Sequence, residues 1–251
     1  MDLRLDVIAH RGSAHLAPEN TLAAFQLGWQ ETTMCELDVR MTADGKLVVI
    51  HDDTTKRTTG VDLKVAEHSL SELQELDAGS NKGEQWRGEK LPSLEDVIAA
   101  MPADKKLLVE IKVGPEIMPE LTRVIRASRK EKQLVLQSFF PWVCTEVKKA
   151  FPQLPVYLLI ACNQDAQTEV WSPTIYQSIM EARKHGLDGM SANNTPVIDA
   201  PAVQAVHSAG LKLNVWTVDQ FETARRLLAL GTDGIITNRP GWMLSQLGQT
   251  A

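Results

Sequence analysis

Aromatic side chains are scarce in this sequence: five Phe, two Tyr and six Trp make up 5% of 251 residues. A protein that reaches into lipid usually carries an exposed aromatic or apolar rim, so this composition speaks against a membrane-facing enzyme. Cysteine is scarcer still. Cys35, Cys144 and Cys162 are odd in number and form no CxxC pair, which suits a reducing compartment better than a disulfide framework. No apolar run approaches the roughly eighteen residues that would read as a membrane span. Blocks of like charge are also missing, and the net charge of −6 from 26 basic and 32 acidic residues excludes a nucleic-acid binder. The opening "MDLRLDVIAH" carries no basic-then-apolar leader. A soluble cytoplasmic protein without membrane insertion is expected.

What is present is alternation. Short β-type runs occur at "DVIAH", "CELDVRM", "KLLVEIKV", "QLVLQSF", "PVYLLIAC", "GLDGMSA", "LKLNVWTV" and "TDGIIT". Helical patterns fall between them, over 20–31, about 93–101, 116–130, 141–150, 173–185, 200–209, 219–230 and 241–247. Eight strands alternating with eight helices in a chain of this length predict an α/β fold of the (β/α)₈ TIM-barrel type spanning 1–251. A doubly wound sheet would need a phosphate loop or a break in the alternation, and neither occurs. One stretch departs from the rhythm. Asp44-Gly45 is a turn dipeptide that predicts a hairpin after the second strand. Residues 53–92 then read as a small insertion, too long for an ordinary loop and too rich in Leu and Val for disorder, with a short helix near 69–77.

Side chains two apart on a strand share a face. Glu36 and Asp38 therefore point one way, while Cys35, Leu37 and Val39 point the other. Glu110 and Lys112 share a face between Val109, Ile111 and Val113, and His10 stands at the end of its strand. Inward positions at the C-terminal strand ends are where barrels build active sites. Taken alone, Glu110 and Lys112 read as a salt bridge. With the same pattern on three strands, convergence of three carboxylates on one hard cation is the better reading. His51, trailing "LVVI", joins His10 in that layer, and two histidines there suit acid–base work near neutral pH. Neither has an HxH or HExxH spacing, so zinc ligation is the weaker use. Arg11 and Lys112 add positive charge suited to an anion such as phosphate.

The segments "AHRG…PENT", "ELDVRMTADGKLVVIHDD…RTT", "LDAGS", "LPSLEDV", "LVEIK", "QSF" and "WTVD", in that order, resemble the glycerophosphodiester phosphodiesterases of the bacterial cytosolic type. The resemblance implies a TIM barrel with a small insertion that hydrolyses glycerophosphodiesters to glycerol 3-phosphate and an alcohol. It also implies that Glu36, Asp38 and Glu110 hold one divalent cation, Mg²⁺ or Ca²⁺. By the same resemblance, His10 and His51 form the acid–base pair, while Arg11 and Lys112 bind phosphate. Asn20 reads either as an N-cap or as a polar contact within the site. Trp216 shares parity with Asn214 and is expected to wall the barrel mouth against the glycerol carbons. Gly12 is expected to let the backbone pass close to the ligand. Two positions depart from the family pattern: Ser13 replaces a smaller residue and Asn238 replaces an aspartate, and neither is expected to touch the metal or acid–base set. Two alternatives remain, a lipid-active phosphodiesterase on the same barrel and a non-catalytic barrel that binds glycerol phosphates.

Overall fold

The computed structural model describes residues 5–249. The strand runs close into a ring: β1 (Asp6–Ala9), β2 (Met34–Met41), β3 (Lys106–Ile111), β4 (Leu134–Ser138), β5 (Val156–Ile160), β6 (Gly189–Asn193), β7 (Lys212–Trp216) and β8 (Gly234–Thr237). Each strand pairs in parallel with the next, and β8 returns to β1. Closure leaves the ring without a free edge. Outside it lie α1 (Leu22–Glu31), α2 (Leu94–Ala100), α3 (Met118–Ser128), α4 (Pro141–Ala150), α5 (Ile175–Lys184), α6 (Ala200–Ser208), α7 (Phe221–Leu230) and α8 (Pro240–Leu247). Four of these helices begin at side-chain caps on Thr21, Ser93, Thr174 and Asp199, whose oxygens take up N–H groups the first turn leaves orphaned. No helix among the described residues is long and apolar enough to cross a membrane.

The two-residue period of the strands sorts their side chains into two compartments. Cys35, Leu37, Val39, Val109 and Ile111 face outward and pack against the helices. Ile8, Leu108, Val135, Tyr157 and Ile236 fill the barrel interior. Asp38, Glu110 and Gln137 are register partners across β2, β3 and β4, one polar row at the C-terminal ends of three neighbouring strands.

The expected hairpin is present. Gly45 takes a φ of +73°, and Leu47–Val49 returns antiparallel to β2. The chain from there to α2 carries two short helices, Lys56–Thr59 and Leu70–Gln74, over a small core of Val48, Ile50, Val65, Leu73, Ala78 and Leu91. A second feature went unforeseen: Asn163–Gln164 and Trp171–Ser172 form a small hairpin between β5 and α5. Two residues per strand carry too little pattern to be read from sequence.

Candidate active site

A cavity of about 280 Å³ opens where the barrel strands end. His10 follows β1, Glu36 points in from β2, and Glu110 and Lys112 come from the end of β3. Gln137 comes from β4, Trp216 from β7, and His51 from just beyond the return strand beside β2. With Leu159 of β5 and Ile236 of β8 also lining it, seven of the eight barrel strands and the return strand contribute to one pocket.

Its floor is acidic. Glu36, Asp38 and Glu110 each offer an oxygen, and these lie within 4.8 Å of one another with all three residues buried. Two cations answer them. Lys112 Nζ stands 3.0 Å from Asp38 Oδ1 and 2.5 Å from Glu110 Oε1, and Arg11 Nε stands 3.2 Å from Asp38 Oδ2. Burial and the neighbouring carboxylate charges push Glu36 well above the usual range. Glu110 is likewise raised, by burial and then by Asp38. Asp38 goes the other way: burial would raise it, but Lys112 and Arg11 together hold it below its ordinary value. Three buried acids against two bases leave a cluster one positive charge short, with oxygen donors of the kind a hard divalent cation takes. The donor set fits such an ion.

Each histidine is held through its Nδ1. His10 Nδ1 lies 2.8 Å from Asn238 Oδ1, and His51 Nδ1 lies 2.6 Å from Asp52 Oδ1. Burial and then the Arg11 charge lower His10 to about 4. Burial also lowers His51, against the opposing pull of Asp38 and Asp52. Around them runs a chain of ion pairs. Asp52 accepts from Arg57 at 2.7 Å, Arg57 donates to Glu19 at 2.6 Å, and Glu19 accepts from Arg11 at 2.8 Å. This chain ties the short helix Lys56–Thr59 to the loop after β1.

Trp216 faces the cavity as its parity requires, donating Nε1–H to the Ser191 carbonyl and meeting Phe139 edge-on at 5.9 Å. Asn20 does not line the cavity. Its Nδ2 donates to Asp38 Oδ2 at 2.9 Å, and the cap of α1 is Thr21 instead. Gly12 is also fixed by the packing of its loop. At φ +79° it lies against α1, where a Cβ would come within 2.5 Å of the Ala24 carbonyl carbon. Its lack of a side chain lets the loop press on the helix. Ser13 stays clear of the site, donating to Glu31. Asn238 does not stay clear, because it is the partner of His10. Sequence reasoning missed Gln137, Phe139, Glu19, Asp52 and Arg57. Gln137 was within reach, since it shares parity with Val135; its Oε1 is buried with no hydrogen-bond partner among the described residues.

A sequence model of the glycerophosphoryl diester phosphodiesterase family matches residues 10–242. A glycerophosphodiester phosphodiesterase of Caldanaerobacter subterraneus subsp. tengcongensis is 37% identical over 246 residues, covering 95% of this chain and 96% of that one. A Bacillus subtilis enzyme of the same name is 29% identical over 256 residues, covering 94% and 84% of the two chains. Among solved structures, an Oleispira antarctica phosphodiesterase in complex with its product sn-glycerol-3-phosphate superposes with a TM-score of 0.87 at 27% identity, covering 97% of each chain. Barrel, cavity and relatives agree, and the chain belongs to the glycerophosphoryl diester phosphodiesterase family.

Proposed function

We propose that this phosphodiesterase cleaves glycerophosphodiesters to sn-glycerol 3-phosphate and an alcohol, with His10 as base and His51 as acid. The observation that carries the reading is one cavity bordered by two histidines, an acidic cluster and two cationic side chains. A receptor that only binds glycerol phosphate has no use for a proton donor and a proton acceptor in the same cavity. Glu36, Asp38 and Glu110 are the residues to hold one divalent cation, Mg²⁺ or Ca²⁺. Bound there, such an ion neutralises charge at phosphorus and acidifies a nearby hydroxyl.

Arg11 and Lys112 orient the phosphate oxygens, and Trp216 with Phe139 walls the glycerol carbons. His10 Nε2 takes the proton of the glycerol 2-hydroxyl, whose oxygen bonds to phosphorus as the bond to the alcohol breaks. His51 gives its Nε2 proton to that alcohol. Water then opens the cyclic phosphate with the two roles exchanged: His51 takes a proton from the water and His10 returns one to the 2-oxygen. An amide partner leaves His10 neutral and ready to accept, whereas the Asp52 carboxylate favours a protonated His51. That contrast supports His10 as base and His51 as acid.

Release of glycerol 3-phosphate from glycerophosphocholine tests the reading. Chelator is expected to abolish it, and Asp38→Ala or Glu110→Ala to do the same with cation present. An analogue lacking the 2-hydroxyl is expected to bind yet turn over at least about a hundredfold more slowly, because both general-base catalysis and intramolecular attack are lost. Full turnover in chelator overturns the metal. Normal turnover of the deoxy analogue overturns the cyclic route alone.

A further inference from the structure

His10 is the one histidine of the cavity whose partner is not a carboxylate. Its Nδ1 meets Asn238 Oδ1, an amide whose oxygen and nitrogen are set apart only by what surrounds them. Here Asp219 decides. It sits beside β7, accepting at Oδ1 from the Thr237 hydroxyl at 2.9 Å and from the Asn238 backbone N–H at 2.8 Å. Its other oxygen, Oδ2, accepts from Asn238 Nδ2 at 2.7 Å. An ionised carboxylate can only accept, so the amide must turn its NH₂ towards Asp219 and its oxygen towards His10. That oxygen can only accept in turn, which places a proton on His10 Nδ1 and leaves Nε2 bare.

We propose that Asp219 and Asn238 are positioning residues that lock His10 in the Nδ1–H tautomer, so that its Nε2 lone pair faces the substrate hydroxyl. The proposal rests on His10 being the base. Neither positioning residue lines the cavity, so both act through the imidazole. The arrangement also keeps the Asp219 charge one residue away from the ring, where a carboxylate at position 238 would touch it.

The geometry makes a one-atom substitution informative. In Asp219→Asn the first oxygen still serves Thr237 and the Asn238 backbone, and the second position becomes an NH₂ donor. Asn238 must then flip to accept from it and show its own NH₂ to His10 Nδ1. The histidine can meet that donor only as the Nε2–H tautomer, which is no base at Nε2. The double variant Asp219→Asn with Asn238→Asp restores an acceptor beside Nδ1.

The ¹⁵N chemical shifts of His10, assigned in the histidine-labelled protein by comparison with His10→Ala, read the tautomer without any turnover. The native protein is expected to show Nδ1–H and Asp219→Asn to show Nε2–H, with the double variant returning to Nδ1–H. Turnover of glycerophosphocholine is expected to follow: kcat falls about 10²–10⁴-fold in Asp219→Asn with KM little changed, and recovers in the double variant. Nε2–H in the native protein, or an unchanged tautomer in Asp219→Asn, overturns the proposal. Should the tautomers switch while His10→Ala keeps full activity, the lock stands and His10 is not the base. If Asp219→Asn does not fold, Asn238→Leu reads the same coupling, and a retained Nδ1–H preference there overturns it.

Discussion

His51 differs from His10 in exposure as well as in partner, with 35% of its side chain open to solvent. A group at the mouth of the cavity is placed to meet the departing alcohol, and a general acid matters most when that alcohol is a poor leaving group. His51→Ala is therefore expected to lower kcat for the choline ester by about 10²–10⁴-fold and to spare a nitrophenyl ester of glycerol phosphate, whose phenolate leaves unaided. Equal losses on the two esters would assign His51 to phosphate or metal positioning. At this scale the sequence was legible where one local rule acts. Period two alone put Glu36, Asp38 and Glu110 on inward positions, and the structure brings those three together. Asn238 was illegible because its meaning lies 228 residues away at His10, across the β8–β1 pairing that closes the ring. Asn20 and Thr21 both suit an N-cap, and tertiary contact with Asp38 decided which one capped.

Helices in this barrel are anchored where the loops of the active-site end turn into them. Ser93 shows how. Its hydroxyl accepts from the Asp96 N–H at 3.0 Å while the Asp96 carboxylate accepts from the Ser93 N–H at 2.9 Å, a reciprocal capping box at the start of α2. The residue also bridges to Val48 of the return strand, so the cap joins the helix to the element that leads to His51. Ser93→Ala is expected to cost about 1 kcal/mol, or about 2–4 °C in melting temperature for a chain of this size, with kcat unchanged. A thermal scan checks the first part and steady-state kinetics the second. A large loss of kcat would mean that the cap positions His51 as well as the helix. Barrel strands of four or more residues and helices of five or more were readable because a hydrophobic period needs about that length to declare itself. The hairpin of 163–164 with 171–172 falls below it.

Over the whole molecule, the acidic floor trades stability for ion binding. Folding brings three carboxylates together out of water against only Lys112 and Arg11, and buried like charges oppose the folded state. Removing one of them helps the ion-free protein and harms the holder of the ion, a common outcome at functional sites. Glu36 is the one to remove. Its carboxylate is fully buried, and an oxygen retained in Gln can still accept from the Arg11 N–H, now made at 3.0 Å. In chelator, Glu36→Gln is expected to melt above the native protein. In Mg²⁺ or Ca²⁺ at about a hundred times the dissociation constant, the native protein should gain about 2.7 kcal/mol, or about 5–10 °C. The variant should gain much less, and the two melting curves should cross as cation is added. Thermal scans of both proteins in chelator and across a cation titration supply the comparison. A variant that melts below the native protein in chelator would mean that Lys112 and Arg11 already balance the three acids. A variant that gains as much from the ion as the native protein does would remove Glu36 from the ligand set and leave Asp38 and Glu110 to hold the cation.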